Sequence, residues 1–379
     1  MSFDSILENI QKVWPEDRIE KSKERLLKIW NKKLPGDRIP FVFERVPDGN
    51  GVNIEILEAY GYSMDVNLYF NLCQLEKRAV LDDDYIPSLY AGYRQNMIPS
   101  GFGAEEIIKS NATQYWSEPF IRKPEDIYKL GEFSPNKKNS TIKLLLDNMK
   151  YFRKMTKGLL PLHLIDSQDA MANASTLVEV NDYFLAITTH PSEIHELHKI
   201  CNNAIIKFVN AQMEISEGDY IPMNTFWFGW IPKGEGISLS IDLLAMVSPK
   251  NVEEFVLPYL NEISNYYNGV LIHSCGRWSH NMEMIKRTQN LKGIDFGVTE
   301  TDIGDAWRIF GSSITYALHN SYVAVAPYKV QNQEKYIESI AKFIKENNIP
   351  SQVQIFMPPE YDLKQALELN KLALKHFSF

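Results

Sequence analysis

A chain of 379 residues with 44% hydrophobic and 23% charged content can bury a large core, which excludes general disorder. Its 40 Lys and Arg against 48 Asp and Glu leave a net charge of −8 with no basic tract, so nucleic acid is not an expected partner. Three cysteines are too few for a disulfide framework, no apolar run approaches the roughly 18 residues of a membrane span, and the first residues lack a signal-peptide layout. The expectation is a cytoplasmic protein with free thiols, not associated with a membrane.

Residues 1–36 read as a helical extension, with Ile6, Ile10, Val13, Leu26, Leu27 and Trp30 apolar among charged neighbours and a break at Leu34-Pro35-Gly36-Asp37. The remainder, 37–379, reads as one domain. It opens with a strand candidate at 39–43, a turn at 47–51 and a Gly/Pro-rich stretch around 98–103.

From residue 157 onward, short apolar runs alternate with longer amphipathic stretches. The expected strands are 159–165, 221–228, 270–273, 291–296, 322–326 and 353–357. The helices after them centre on 191–215, 249–267, 281–288, 303–310, 333–347 and 363–376. Pro191 and Pro249 suit a first helical turn, where a missing N–H costs nothing. Repeated βα units imply a parallel sheet, and no Gly-rich dinucleotide turn follows any strand. An α/β fold of the (β/α)8 TIM-barrel type, with room upstream for two more units, is the expected architecture.

Such a barrel builds its site at the C-terminal strand ends. The first countable strand there delivers Asp166 and Asp169, and the second delivers Trp227 and Trp230. The third delivers His273 and Cys275, and Glu300 with Asp302 follow the fourth. Tyr328 follows the fifth, and Pro358, Pro359 and Glu360 the sixth. His273 and Cys275, two residues apart, could converge on a zinc ion, which favours mixed nitrogen and sulfur ligands. Their bland alternative is a buried thiol beside a hydrogen-bonding histidine. A third ligand would be Glu300, Asp302 or His319, and spacing does not choose; Cys73 and Cys201 read as helical core thiols. Asp166 and Asp169 could anchor substrate or work as an acid and base, or they could cap the following helix. Trp227 and Trp230 could stack on a flat ligand or simply pack. Ser238, Ser240 and Asp242 could bind a polar group, unless Asp242 caps a helix over 243–247. His195 and His198 share one helix face beside His190, where a solvated face is the simpler reading.

At His273-Ser274-Cys275-Gly276 the chain resembles the uroporphyrinogen decarboxylase superfamily, in particular its corrinoid-dependent methyltransferase branch. The likeness covers most of the chain. It includes Asp82-Asp83-Asp84-Tyr85-Ile86-Pro87, then Ser100-Gly101-Phe102-Gly103, Leu164-Ile165-Asp166-Ser167, and Ile237 to Asp242 leading into Val247-Ser248-Pro249. The resemblance implies a (β/α)8 barrel and a zinc site of a His-x-Cys pair plus a later cysteine, sometimes with a carboxylate. His273 and Cys275 take the first two positions. No cysteine occurs near Phe356-Met357-Pro358-Pro359-Glu360, where the later one belongs. Either Glu300 or another oxygen or nitrogen donor completes a weaker site, or this member has lost the metal.

The implied activity is a zinc-dependent transfer of a methyl group between a small-molecule donor or thiol and a corrinoid carried by a partner protein. Asp166 and Asp242 would position substrate, with Ser240 and Tyr328 beside it and Trp227 and Trp230 as walls. The alternatives are a metal-free decarboxylase-like lyase and a barrel that binds a tetrapyrrole or corrinoid protein without turnover. The decarboxylase proper is disfavoured because its arginine-rich N-terminal segment has no counterpart near 41–51, where Arg45 and Arg94 are the nearest basic candidates.

Overall fold

A computed structural model describes residues 3–44, 46, 63–92, 97–108, 115–223, 229–320, 330, 332–358 and 360–379. The strands are β1 (Phe41–Phe43), β2 (Glu106–Ile108), β3 (Tyr115–Ser117), β4 (Leu162–His163) and β5 (Tyr220–Ile221), followed by β6 (Ile237–Ser240), β7 (Val270–His273), β8 (Leu291–Gly297), β9 (Thr315–His319) and β10 (Ser351–Ile355). Six of them form one sheet in the order β1-β10-β9-β8-β7-β6, with every pairing parallel. Strands β4 and β5 form a separate parallel pair, and β2 and β3 an antiparallel one. Single backbone contacts reach between these arcs. Ser238 N–H donates to Pro222 O, Leu89 bridges Leu162 in parallel, and Asp84 N–H donates to Phe41 O. The expected α/β class and parallel sheet are therefore present.

Helices supply the outer layer, and their sequences explain why. The 25-residue helix Pro191–Ile215 buries Ile194, Leu197, Cys201, Ile205, Phe208 and Val209, a 3.6-residue stripe facing the core. Its Gln212 bonds both backbone groups of Ile165, accepting from the N–H at 2.5 Å and donating to the carbonyl at 3.3 Å. Strand β4 has ended there, so this side chain holds the extended backbone that carries Asp166. Helices Ile303–Phe310, Gln333–Asn347 and Leu363–Phe377 lie where the periodicity puts them, each opened by an Asp or Asn cap.

The first residues fold as Phe3–Val13 and Glu16–Trp30. Ile6, Leu7 and Ile10 join the main core, and Trp14 donates its indole N–H to Leu75 O. The second helix is fastened through charge. Arg25 and Arg38 both reach the fully buried Asp84, at 2.8 and 3.1 Å, and Asp84 also accepts from Phe41 N–H. Arg78 pairs with the equally buried Asp83, which accepts from Phe43 N–H. The three-aspartate segment thus ties β1 to the N-terminal helices.

Several expected boundaries differ. The apolar run at 322–326 lies outside the described residues, and the strand flanked by β8 and β10 is instead Thr315–His319. Residues 237–240, where no strand is expected, form β6 with all four residues buried. The stretch at 98–103 is mostly helix, Met97–Phe102, and the helix expected at 281–288 shrinks to Met282–Ile285. The turn at 47–51 and most of the strand expected at 221–228 also lie outside the described residues. Among those described, no helix is long and apolar enough to cross a membrane.

Candidate metal centre

Strand β7 is a wholly buried apolar run, Val270-Leu271-Ile272, that ends in His273. The chain then turns at Gly276, whose φ of +76° a side chain would resist. That turn brings the Cys275 Sγ back to 3.2 Å from His273 Nε2. The turn is held by carboxylates on both sides. Asp242 accepts from Cys275 N–H at 3.1 Å, and Glu300 accepts from Gly276 N–H at 2.5 Å.

Behind the imidazole stands Asp295, in register with His273 on β8. His273 Nδ1–H donates to Asp295 Oδ1 at 2.5 Å, with both side chains buried, while Gln354 donates to Oδ2 at 3.2 Å. This fixes the ring so that Nε2 faces Cys275 and Asp242. Burial alone would lower the His273 imidazole, but Cys275 and Asp295 outweigh it and hold it well above the ordinary histidine value. Burial pushes the Cys275 thiol up, with His273 opposing. Asp295 was not singled out from the sequence; its signal was a lone carboxylate inside the apolar run of Gly293 to Gly297.

Among the described residues two groups place a donor atom from each member within 4.8 Å of the others: Asp242 with His273 and Cys275, and His273 with Asp295 and His319. The first fits a catalytic zinc in its chemistry, with imidazole, thiolate and carboxylate donors and a His ligand backed by a carboxylate. The second is wholly buried, and there the His273 Nδ1–H is already committed to Asp295. His319 donates its Nδ1–H to Asn320 O, and its Nε2 lies 3.5 Å from Asp295.

The other expected residues separate clearly. Asp166 is buried near this site, accepting from Ser240 Oγ–H at 2.5 Å and from Gln168 N–H, and burial raises its carboxyl to about 6. Asp169 is a helix cap, accepting from Met171 and Ala172 N–H, and burial raises it to about 7. Asp302 likewise caps helix Ile303–Phe310. Asp242 caps no helix with its side chain: it opens only a 3-10 turn, Asp242–Ala245, while the true cap is Ser248 ahead of Pro249.

Trp230 does not wall this site. Its backbone bonds the Gln352 side chain, two residues nearer the start of β10 than the Gln354 that reaches Asp295, and its carbonyl accepts from Trp30. It packs with the cluster of Leu26, Ile29 and Trp30, because that end of the sheet is where helix Glu16–Trp30 presents its apolar face. Trp227, Tyr328, Arg45 and Arg94 lie outside the described residues, as does Pro359. His198, expected on a solvated face, is buried, accepting from Tyr183 O–H and donating to Phe255 O; His195 meets Tyr259. The cysteines are free thiols, with Cys201 buried in its helix and Cys73 half-buried.

A parallel α/β protein with a mixed imidazole, thiol and carboxylate cluster at one strand exit is what the fold and site define. No protein-family model and no curated protein sequence matches the chain. Among solved structures it is similar to a methyltransferase from Methanosarcina mazei, with a TM-score of 0.65 and 14% identity over 93% of this chain and 96% of that one. At this identity the likeness shows a shared fold across nearly the full length of both.

Proposed function

We propose that this chain is a metal-dependent methyltransferase that moves a methyl group between a small thiol or methyl donor and a corrinoid held by a partner protein. The observation that carries the reading is the His273 and Cys275 pair at the exit of β7, oriented from behind by Asp295. The full-length likeness to a protein named methyltransferase supports the reaction class. We take the parallel arcs to close as a (β/α)8 barrel, which the single backbone contacts from Leu89 to Leu162 and from Ser238 to Pro222 support. Free thiols fit a cytoplasmic setting.

His273 and Cys275 would hold zinc together with a carboxylate, and zinc when bound supplies Lewis acidity that lowers a thiol pKa or polarises an ether oxygen. Asp295 keeps His273 in one tautomer, with Nε2 toward the site. Asp166, whose carboxyl burial raises to about 6, borders the centre with Ser240 and can exchange a proton as substrate binds or leaves. In the thiol direction the thiol sulfur gains the methyl and loses its proton, the carbon–cobalt bond breaks, and cobalt takes the bonding pair, passing from the +3 to the +1 state.

The test combines zinc analysis of the purified protein with demethylation of methylcobalamin by a panel of low-molecular-mass thiols, before and after chelation. Zinc at about one per chain and thiol-dependent, chelation-sensitive demethylation support the reading. Absence of zinc and of demethylation would overturn it. Chelation-resistant decarboxylation of a tetrapyrrole would favour the lyase reading, in which Asp166 binds the electron-rich ring and stabilises the charge that develops on protonation.

A further inference from the structure

We infer that Asp242, and not Glu300, is the third protein donor of the metal centre, giving one imidazole, one thiolate and one carboxylate around an open fourth position. This assignment rests on the metal-dependent reading and specifies it. Bonds of about 2.0 Å to nitrogen or oxygen and about 2.3 Å to sulfur make tetrahedral edges of about 3.3 Å for N···O and about 3.5 Å for N···S. His273 Nε2 lies 3.6 Å from Asp242 Oδ1 and 3.2 Å from Cys275 Sγ, close to both edges. The three side chains come from the exits of neighbouring strands β6 and β7, so the sheet itself holds them together.

Among the described residues no other His, Cys, Asp or Glu donor atom lies within 4.8 Å of all three of these. Glu300 closes the Gly276 turn, Asp302 caps its helix, and His319 sits against Asp295 on the buried side of His273. Asp242 makes no cap, and its carboxylate accepts from Cys275 N–H, so one residue both aims the thiol and faces Nε2. Its side chain is 40% exposed while that of His273 is 3% exposed, so the centre opens to solvent on the Asp242 side. That is where a fourth ligand, water or substrate thiol, can enter. A site with one thiolate is also harder than one with two, so it exchanges its metal more readily and admits Co²⁺ as a probe.

The experiment strips the full-length protein with a chelator, reloads it with Zn²⁺ or Co²⁺, and compares wild type with Asp242→Asn, Asp242→Cys and Glu300→Gln. We expect about one metal per chain in wild type, at least roughly tenfold weaker zinc binding in Asp242→Asn by chelator competition, and binding within about twofold of wild type in Glu300→Gln. Asp242→Cys places a second thiolate on the metal, so the thiolate-to-cobalt absorption should rise about twofold, a change that a merely structural residue would not produce. Circular dichroism separates lost ligation from lost folding in Asp242→Asn, and Asp242→Cys decides if that variant unfolds. Metal lost in Glu300→Gln but kept in Asp242→Asn, or an unchanged cobalt spectrum in Asp242→Cys, overturns the assignment and leaves the metal-dependent reading standing. Metal-free wild type after reloading overturns both.

Discussion

His273 and Asp295 face each other across neighbouring strands, Nδ1 to Oδ1 at 2.5 Å, with neither side chain open to water. A carboxylate in this position raises the basicity of the histidine and fixes which nitrogen it presents. Asp295→Asn keeps the size and loses the charge, so zinc affinity should fall roughly 10- to 100-fold with the fold intact. Competition against a calibrated chelator measures it, and unchanged affinity would show that Asp295 does not support the ligand.

The Gly276 turn sets where Cys275 points. A Cβ there would sit 3.1 Å from the Ala245 Cβ on a backbone with φ of +76°. Gly276→Ala should therefore cost about 1 kcal/mol or more in unfolding free energy and weaken metal binding as well. Urea unfolding with and without metal separates the two effects. Full stability in the variant would mean that the turn relaxes without strain.

Asp84 is the shared acceptor for Arg25 and Arg38 and has no exposure of its own. Asp84→Ala leaves two guanidinium groups without that partner in a buried setting, and should lower stability by about 3 kcal/mol or more. The readout is the urea midpoint at unchanged slope. A loss under about 1 kcal/mol would mean that Asp37 and Asp82, the remaining partners of these arginines, suffice.

His198 gives stability a pH dependence. Burial holds its imidazole down to about 3, with His195 acting in the same sense and the bond to Phe255 O opposing; the neutral ring donates to Phe255 O and accepts from Tyr183. The folded value lies below the unfolded one, so the unfolded chain takes up a proton that the folded chain refuses. The stabilisation is complete above about 6.5 and is lost as pH falls toward about 3. Burial raises Asp166 and Asp169 to about 6 and 7, which works in the opposite sense, so the difference between wild type and His198→Gln at each pH is the measure. That difference should narrow steadily below pH 6.5, and a constant difference would sink the idea.

Much of the outer layer was legible because burial imposes periods. Pro191–Ile215 carries an uninterrupted apolar stripe behind a proline that fits a first turn, and β7 is an apolar run closed by Gly269 and His273. Strand β6 was not legible, because Ser238 and Ser240 alternate with apolar residues as in a half-solvated segment yet are both buried, Ser240 against Asp166. Strand β9 was masked by the stronger apolar run that follows it in sequence. In the site, His273 and Cys275 could be read from their spacing. Asp242 could be read as a polar site residue but not as a neighbour of His273, and Asp295 was not read at all, since what distinguishes them is which strand lies beside β7, a fact of topology that spacing does not carry. The brief 3-10 turn after Asp242, cut short by Ser248-Pro249, was the available sign that this carboxylate was not a cap.

Among the described residues, strand β1 pairs in the main sheet with β10 alone, Phe41 opposite Val353, and the second helix meets β9 where Thr315 donates to Ile29 O. During synthesis roughly 300 residues must leave the ribosome before β1 meets that neighbour. Until then Phe41 and Phe43, fully buried in the finished sheet, have no strand beside them from β10. The nascent chain therefore carries a buried-to-be apolar strand that waits for nearly the whole of translation for its partner in the sheet, which makes the pairing of β1 with β10 a late step in folding.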